Sequence, residues 1–539
     1  MQLGTNNIIQ TIECRDFASI QIMEGEELAE YDNFLTDESG CKGVADALVF
    51  PRSSEEAAAA VSIARERGWP ITVSGARTGI TAGAVPDGGM VMSLERLDRV
   101  LGLRKLDDGT FTVKCQAGVP LTELQTSLAK KSFQGASAWT EECRETLAEL
   151  KKKNLFFPPD PTETTASVGG ITACNAAGAH SFAYGPVRPY VHSLTVVLAD
   201  GSLLTAVRGQ YRADEEGWIR FKSPAGKISS VKLPTYPQPA VKNVAGYYSA
   251  LGMDIVDLFI GSEGTLGVIT EVELRLVEAS EKKTEAMIFV DDEESAVDFT
   301  VTLRQSRHEL GLQAIEYFDP RSLDFMRDWH REMGAASGVP ACLNPQATAA
   351  LYIDLGIEAN AEEDILTRLA KLLERADIDP ASCWSASEND EKEVLRTFRH
   401  ALPEAVNSRI AEIRRSGQAV NKLGTDMAVP DAELSRVVQC YRYELESSGL
   451  EYVMFGHIGE NHLHINIIPR DTEEYAKGRE LYWRLAREVV AMGGSPAAEH
   501  GTGKLKKEFV TLLYDQAALK EMRYLKAQMD YATIFRCLI

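Results

Sequence analysis

The chain has few histidines, no paired cysteines and no long apolar run. Its nine cysteines are odd in number and scattered, and none forms a C-x-x-C. That excludes a ferredoxin-type cluster within the chain and points to free thiols in a reducing compartment. Its longest apolar runs, such as "DIVDLFIG", fall far short of the roughly 20 residues that span a bilayer. The start, "MQLGTNNIIQTIECRDF", lacks a basic region followed by an apolar stretch, so no secretory leader is expected. A cytoplasmic location follows, with peripheral membrane association left open. Basic residues are outnumbered, 57 against 79, for a net charge of -22. Nucleic acid and anionic membrane surface are therefore poor partners, and a small anionic substrate would need a locally positive site.

What remains is a chain of 539 residues, 44% hydrophobic and 25% charged, too long for one core and therefore of two or three domains. Residues 47–64 read as a strand, a proline turn and a helix capped by serine. A helical stretch, "TEECRETLAELKKKN", falls within residues 121–153. Residues 191–207 read as a hairpin about Asp200-Gly201. Residues 208–242, rich in proline and charge, read as a surface excursion. After about residue 280 glycine blocks thin out and strand-like and helical pieces alternate, as in an α+β domain.

Three glycine-bearing blocks precede that boundary: "SGARTGITAGAVP", "PPDPTETTASVGGITACNAAG" and "GSEGTLGVIT". Glycine lets backbone approach a ligand closely, and successive N–H groups can cradle a phosphate. None is a Rossmann or Walker loop, and any one alone reads equally as a turn.

Further on, "FGHIGENHLHINIIP" at residues 455–469 holds His457, His462 and His464, a third of the nine histidines. In an extended segment His462, His464 and Asn466 share one face, while Leu463, Ile465 and Ile467 face a core. His457 lies before a glycine turn and can fold back. Neutral imidazoles ligate divalent metals, and "AEHGTGK" adds Glu499 and His500. Paired histidines on a strand are also common as plain structure, so this pattern alone leaves both readings open.

Taken together, the three glycine blocks resemble the FAD-binding domain of the vanillyl-alcohol oxidase/p-cresol methylhydroxylase superfamily, over roughly residues 45–278. "FGHIGENHLHIN" and "AEHGTGK" are similar to the C-terminal signatures of the FAD-dependent D-2-hydroxyacid dehydrogenases, the group of D-lactate dehydrogenase, the glycolate oxidase flavin subunit and D-2-hydroxyglutarate dehydrogenase. The resemblance implies an α+β fold. A two-part FAD-binding domain (1–280) would precede an α+β cap domain with an antiparallel sheet (281–500). A C-terminal segment (501–539) would return to the FAD domain. It implies non-covalent FAD held by Ser74, Gly75, Arg77, Thr78 and Gly79, by Pro159, Asp160, Ser167, Gly169, Gly170, Asn175, Gly178 and Tyr184, and by Glu263, Gly264 and Ile269. His180 is the nearest candidate for a covalent flavin link, the less favoured reading. One divalent metal, zinc or manganese, would be held by His457, His464 and Glu499. His500 would be the catalytic base, with Asn466, Arg399 and Lys422 touching substrate. Two departures from the FAD-domain pattern stand out: Ala76 and Arg77 occupy part of a usually glycine-richer loop, and the stretch between the first and second blocks is longer than usual, fitting an inserted helix near 139–153. Lys422 also has an unusual spacing to Asp426. His462 falls where asparagine is common, and its role stays open.

The activity implied is oxidation of a small anionic D-2-hydroxy acid, with electrons passed to an external acceptor: a redox protein, quinone or oxygen. A homodimer remains open. Three rivals keep parts of the pattern. One is a redox-neutral alkylglycerone-phosphate synthase-like enzyme. Another is a metal hydrolase without flavin, which would be colourless. The third is a non-catalytic flavin-binding subunit.

Overall fold

In the computed structural model, residues 20–222, 228–340, 343–344, 346–358 and 360–536 are described. The leader reading at the extreme N-terminus, residues 223–227, and Cys14, Cys342 and Cys537 lie outside them. The six cysteines within them are all free.

The N-terminal half is built on two sheets. In the first, Ala47–Val49, Met90–Ser93 and Ile71–Ser74 run parallel, with Ile22–Glu24 antiparallel at one edge. The second holds five antiparallel strands in the order Val100–Lys105, Phe111–Gln116, Val268–Arg275, Val191–Val197, Leu203–Val207. The expected hairpin about Asp200-Gly201 is the last pair. Helix Ser54–Arg67 packs an alanine-rich face, Ala57 to Ala64, against both sheets. Ser53 caps it by accepting the Glu56 N–H at 3.2 Å, and Gly68, at φ 66°, ends it in the left-handed region.

Residues 208–242 are not a surface excursion. Trp218–Lys222 pairs with Ile228–Lys232, and Ile219, Phe221, Val231, Leu233 and Tyr236 are buried in the N-terminal core. Alternation of these apolar residues with charges, the pattern of a half-buried strand, outweighs the average composition.

The C-terminal half is organised by an eight-stranded sheet. Its central strands are Lys282–Val290, Ala349–Ile357, Leu312–Phe318, Tyr452–Gly456 and His462–Ile467, hydrogen-bonded in that order. All these pairings are antiparallel. One face is apolar: Ile315, Tyr317, Ile353, Leu355, Ile465 and Ile467 are buried in one core with helices Glu293–Gln305, Leu434–Ser448 and Thr472–Ala491. Leu463, Ile465 and Ile467 are each 1% exposed or less, worth roughly 1.5–3 kcal/mol apiece. The opposite face is split. Met287, Phe289, Tyr352 and Phe318 lie beneath helices Pro320–Met333 and Asn389–Arg415. Asp354, Glu316, His464 and Asn466 continue that face toward the N-terminal half.

The chain after residue 500 divides its contacts. Phe509 packs on Tyr482 and Trp483 of the C-terminal half. Leu519, Met522 and Leu525 enter the N-terminal core. Ile534 accepts the Ile71 N–H at 2.7 Å, extending the first sheet. Part of this segment thus belongs with the cap, because helix Lys507–Leu513 carries apolar side chains on two sides.

Candidate active site

The strand His462–Ile467 and the turn before it do what their alternation predicts. His457 ends a strand, a short 3-10 turn Ile458–Glu460 follows, and the His462 N–H returns to the His457 carbonyl at 3.1 Å. Asn461, at φ 53°, makes the reversal. His464 and Asn466 then point to the same side as His457.

Glu499 is the centre of the cluster. Its Oε1 lies 3.2 Å from His457 Nε2 and 3.3 Å from His464 Nε2. His462 Nδ1 is 3.8 Å from Oε2. One donor atom from each of His457, His462, His464 and Glu499 falls within 4.8 Å of the others. The outer ring nitrogens are engaged: His457 Nδ1 meets Glu316 Oε1 at 2.6 Å, and His464 Nδ1 donates to the Thr425 carbonyl at 3.1 Å. Those bonds leave both Nε2 atoms facing Glu499, with the protonated His457 donating to Oε1; a cation that displaced that proton would meet a carboxylate–histidine–metal arrangement. The fully buried His462 sets Nε2 3.0 Å from Asp426 Oδ1, while its Nδ1, on the Glu499 side, has no hydrogen-bond partner among the described residues, which is costly unless something else meets it.

Charge is balanced by buried pairs. Burial alone would lower the His457 pKa, but Glu316 and Glu499 raise it to about 10. Burial would raise Glu316; His457 and Arg399 instead bring it to about 2. Burial lowers His462 to about 3 and His500 to about 4, so both are neutral. Glu499 is held well below the carboxylate range, because Lys242, His457 and His462 outweigh its burial.

His500 stacks on His464, ring centroids 5.1 Å apart and 10° from parallel. Asp426 fixes this stretch: its two oxygens accept the Glu499 and His500 N–H groups at 3.0 Å each, and Lys506 Nζ pairs with it at 3.0 Å. His500 Nδ1 has no hydrogen-bond partner among the described residues.

The substrate-side candidates separate. Arg399 comes from helix Asn389–Arg415, 3.4 Å from Glu316 Oε2 and over the Tyr352 ring at 5.7 Å, so it joins the cluster. Asn466 is 6% exposed and opposite Gly424. Lys422 lies further along and donates to Asn407 Oδ1 at 2.7 Å. Among the described residues it makes no hydrogen bond or ion pair with the histidines, and burial lowers its pKa.

The glycine blocks form one surface of the N-terminal half. Ser74 ends a strand, and the loop Gly75, Ala76, Arg77, Thr78 and Gly79 follows, with Arg77 at φ 62°. Arg77 lies 4.1 Å over the Phe34 ring. A side chain at Gly75 would meet Ser167 Oγ at 2.4 Å, so the first and second blocks are in contact, and one at Gly169 would meet Ala117 Cβ at 2.5 Å. Ser167 caps helix Val168–Cys174 through the Gly170 N–H at 3.2 Å. Gly178 abuts the Asp160 carbonyl, beside Pro159, and Asn175 accepts the Arg188 N–H at 3.0 Å. Gly264, at φ 72°, packs on Val73 of the strand that leads into the first block. These glycines let the blocks pack closely on one another and on their neighbours.

Several of these side chains have other work. Both Glu263 oxygens are taken by Thr502 and Gly503. Ile269 is buried within strand Val268–Arg275. The Tyr184 hydroxyl meets Gln313 of the cap at 2.9 Å. Both His180 ring nitrogens meet carboxylates, Asp160 at 2.5 Å and Asp354 at 2.6 Å.

Four charged residues of the cluster escaped sequence reading: Lys242, Glu316, Asp426 and Lys506. Signals existed for two. Glu316 is the lone acid in the strand LQAIEYF, and Lys242 is followed by the apolar Val244 and Ala245, both buried.

Residues 279–535 match the family description "FAD linked oxidases, C-terminal domain", and residues 45–143 and 141–206 match "FAD binding domain". A D-lactate dehydrogenase of Anaerostipes hadrus is 28% identical, covering 96% of this chain and 94% of its own. A probable mitochondrial D-lactate dehydrogenase of Danio rerio is 27% identical over 90% of this chain and 82% of its own. The glycolate oxidase subunit GlcD of Bacillus subtilis is 24% identical over 90% and 86%. Among solved structures, an alkyldihydroxyacetonephosphate synthase superposes with a TM-score of 0.55, at 15% identity, covering 92% of this chain and 77% of that one; it bears on fold alone. Fold and sequence together define a two-part flavoenzyme with an FAD-binding half and a cap. The chain belongs to the FAD-linked oxidases, an oxidoreductase family. No helix among the described residues is long and apolar enough to cross a membrane.

Proposed function

We propose that this enzyme oxidises a small D-2-hydroxy acid to the 2-oxo acid, reducing FAD, at a divalent-cation centre made by His457, His464 and Glu499. The observation that carries the reading is Glu499 Oε1 standing between two inward-facing imidazole nitrogens, with the neutral His500 stacked beside them. Curated relatives named D-lactate dehydrogenase and D-2-hydroxyglutarate dehydrogenase support the substrate class.

Two imidazoles and a carboxylate suit zinc or manganese, and His462 offers a fourth donor. Such a cation, when bound, supplies Lewis acidity to a chelated hydroxyl, and FAD supplies the hydride acceptor. The chain's own residues do the rest. His500, its pKa lowered by burial, is unprotonated at neutral pH and takes the hydroxyl proton; its Nδ1 is buried 3.8 Å from Asp426 Oδ2, and its Nε2 lies on the cluster side, 3.8 Å from Glu499 Oε1. Asp426 keeps the His500 backbone in place. Arg399 presents its guanidinium to the substrate carboxylate, because Glu316 engages only part of it. Asn466 offers an amide from the same sheet face. Lys422, lacking a carboxylate partner, would take a second anionic group. FAD would lie non-covalently along the glycine blocks, with residues 1–280 as its domain, 281–500 as the cap, and 501–539 shared between them.

The test is an anaerobic screen of D- and L-2-hydroxy acids against the yellow protein, following flavin absorbance. Bleaching by D-isomers is the expected result. A protein that no hydroxy acid bleaches would sink the reading, and a colourless one would favour metal-only hydrolysis. Acid precipitation should release the flavin into solution.

A further inference from the structure

We propose that Lys242 is a positioning residue for the cation centre: its ammonium tethers one oxygen of Glu499, leaving the other as a single donor between His457 and His464. The inference rests on the cation-binding reading above.

Lys242 belongs to the N-terminal half, yet its side chain is only 7% exposed. Its Nζ lies 2.6 Å from Glu499 Oε2, 3.2 Å from Glu460 Oε2 and 3.0 Å from Ser181 Oγ. Ser181 Oγ and Glu460 Oε2 accept hydrogen bonds from the ammonium, and Glu499 Oε2 is held against it as the closest ion pair. The backbone is registered to match. The Val244 N–H donates to the Ala497 carbonyl at 2.9 Å, and the Ser495 hydroxyl to Asn243 Oδ1 at 2.6 Å. Residues 242–244 therefore run beside 495–499, and the ammonium meets the carboxylate where that pairing ends.

Without the tether, Glu499 could turn about its last bond among three imidazoles and present either oxygen, or both. With Oε2 held, only Oε1 faces the two Nε2 atoms. Lys242 and Glu499 come from opposite halves of the chain, so the tether also makes the centre depend on how those halves meet. Charge alone argues the other way. A lysine beside a cation site repels the cation, so deleting it should tighten binding if the residue merely balances charge. Positioning predicts weaker binding, and the sign separates the two.

The experiment uses the full FAD-loaded chain. Zinc affinity is measured by chelator competition, and the visible spectrum is recorded with cobalt, for wild type, Lys242→Met, Lys242→Arg and Lys242→Met/Glu460→Gln. The double variant avoids stranding the Glu460 carboxylate, and flavin content reports folding. Expected are zinc binding about 10–100-fold weaker in both Met variants, the usual cost of losing an outer-shell partner, a changed cobalt spectrum, and recovery in Lys242→Arg. Wild type that binds zinc while the Met variants bind equally or more tightly, with the cobalt spectrum unchanged, overturns this inference alone. Wild type that binds neither ion overturns it together with the cation-binding reading.

Discussion

Glu263 holds Thr502 twice with one carboxylate oxygen, through the backbone N–H at 2.7 Å and the hydroxyl at 2.8 Å. Its other oxygen takes the Gly503 N–H at 2.7 Å. The third glycine block thereby anchors the turn that follows His500.

Glu263→Ala removes all three hydrogen bonds. Hydrogen bonds to a charged group are worth about 1.5–3 kcal/mol each, so the turn should loosen before the rest of the molecule does. Deuterium uptake at residues 499–504 should rise and flavin reduction should slow. Unchanged uptake there would mean the turn is held by other contacts.

His464→Ala and His500→Ala should fail differently. The first removes an inward-facing nitrogen, so metal content should fall and reduction with it, while FAD stays bound. EDTA should reproduce that state, and zinc or manganese should restore the wild-type enzyme. The second should keep metal and substrate binding and slow reduction about 10²–10⁴-fold, the usual worth of a general base. Full metal content and full turnover in His464→Ala would make the histidine cluster structural.

Arg399→Met should raise KM for the hydroxy acid more than it lowers kcat. Truncating one member of a buried charge pair costs about 2–5 kcal/mol, or roughly 30-fold and more. Lys422→Met should leave a monocarboxylate such as lactate nearly unaffected and weaken a dicarboxylate. Equal loss for both acids would assign Lys422 to the common carboxylate.

His180 bridges Asp160 of the N-terminal half and Asp354 of the cap, with Lys283 3.9 Å from Asp354. Burial would lower its pKa; the two carboxylates raise it to about 9 from 6.5. A raised folded-state pKa stabilises fully below about 6.5 and is lost as pH rises through about 9. Melting of wild type should therefore fall across that window, by at most about 3 kcal/mol of stability. His180→Gln should be flatter over the same range. A parallel fall in the variant would assign the pH dependence elsewhere.

Local patterns carried much of this molecule. Alternation in "NHLHINI" put His464 and Asn466 opposite Leu463, Ile465 and Ile467, because a strand has a period of two and one face must be dry. Capping and turn residues marked helix Ser54–Arg67 and the hairpin at Gly201 for the same kind of reason: the information lies within a few residues. The excursion 208–242 was misread because average composition hid a short alternating hairpin.

The sequence by itself determined the flavoenzyme class, through the resemblance of its motifs to a known family, and the shared face of His462, His464 and Asn466, since a strand's alternation is local. Only the tertiary structure decided what surrounds them. Lys242 reaches Glu499 across 257 positions, Glu316 reaches His457 across 141, and Glu263 reaches Thr502 across 239. Each is a single charged residue whose own neighbourhood in the chain is ordinary. Burial makes such charges costly unless an opposite charge meets them, and that meeting is set by how two sheets and a returning C-terminal segment pack, which no local pattern encodes.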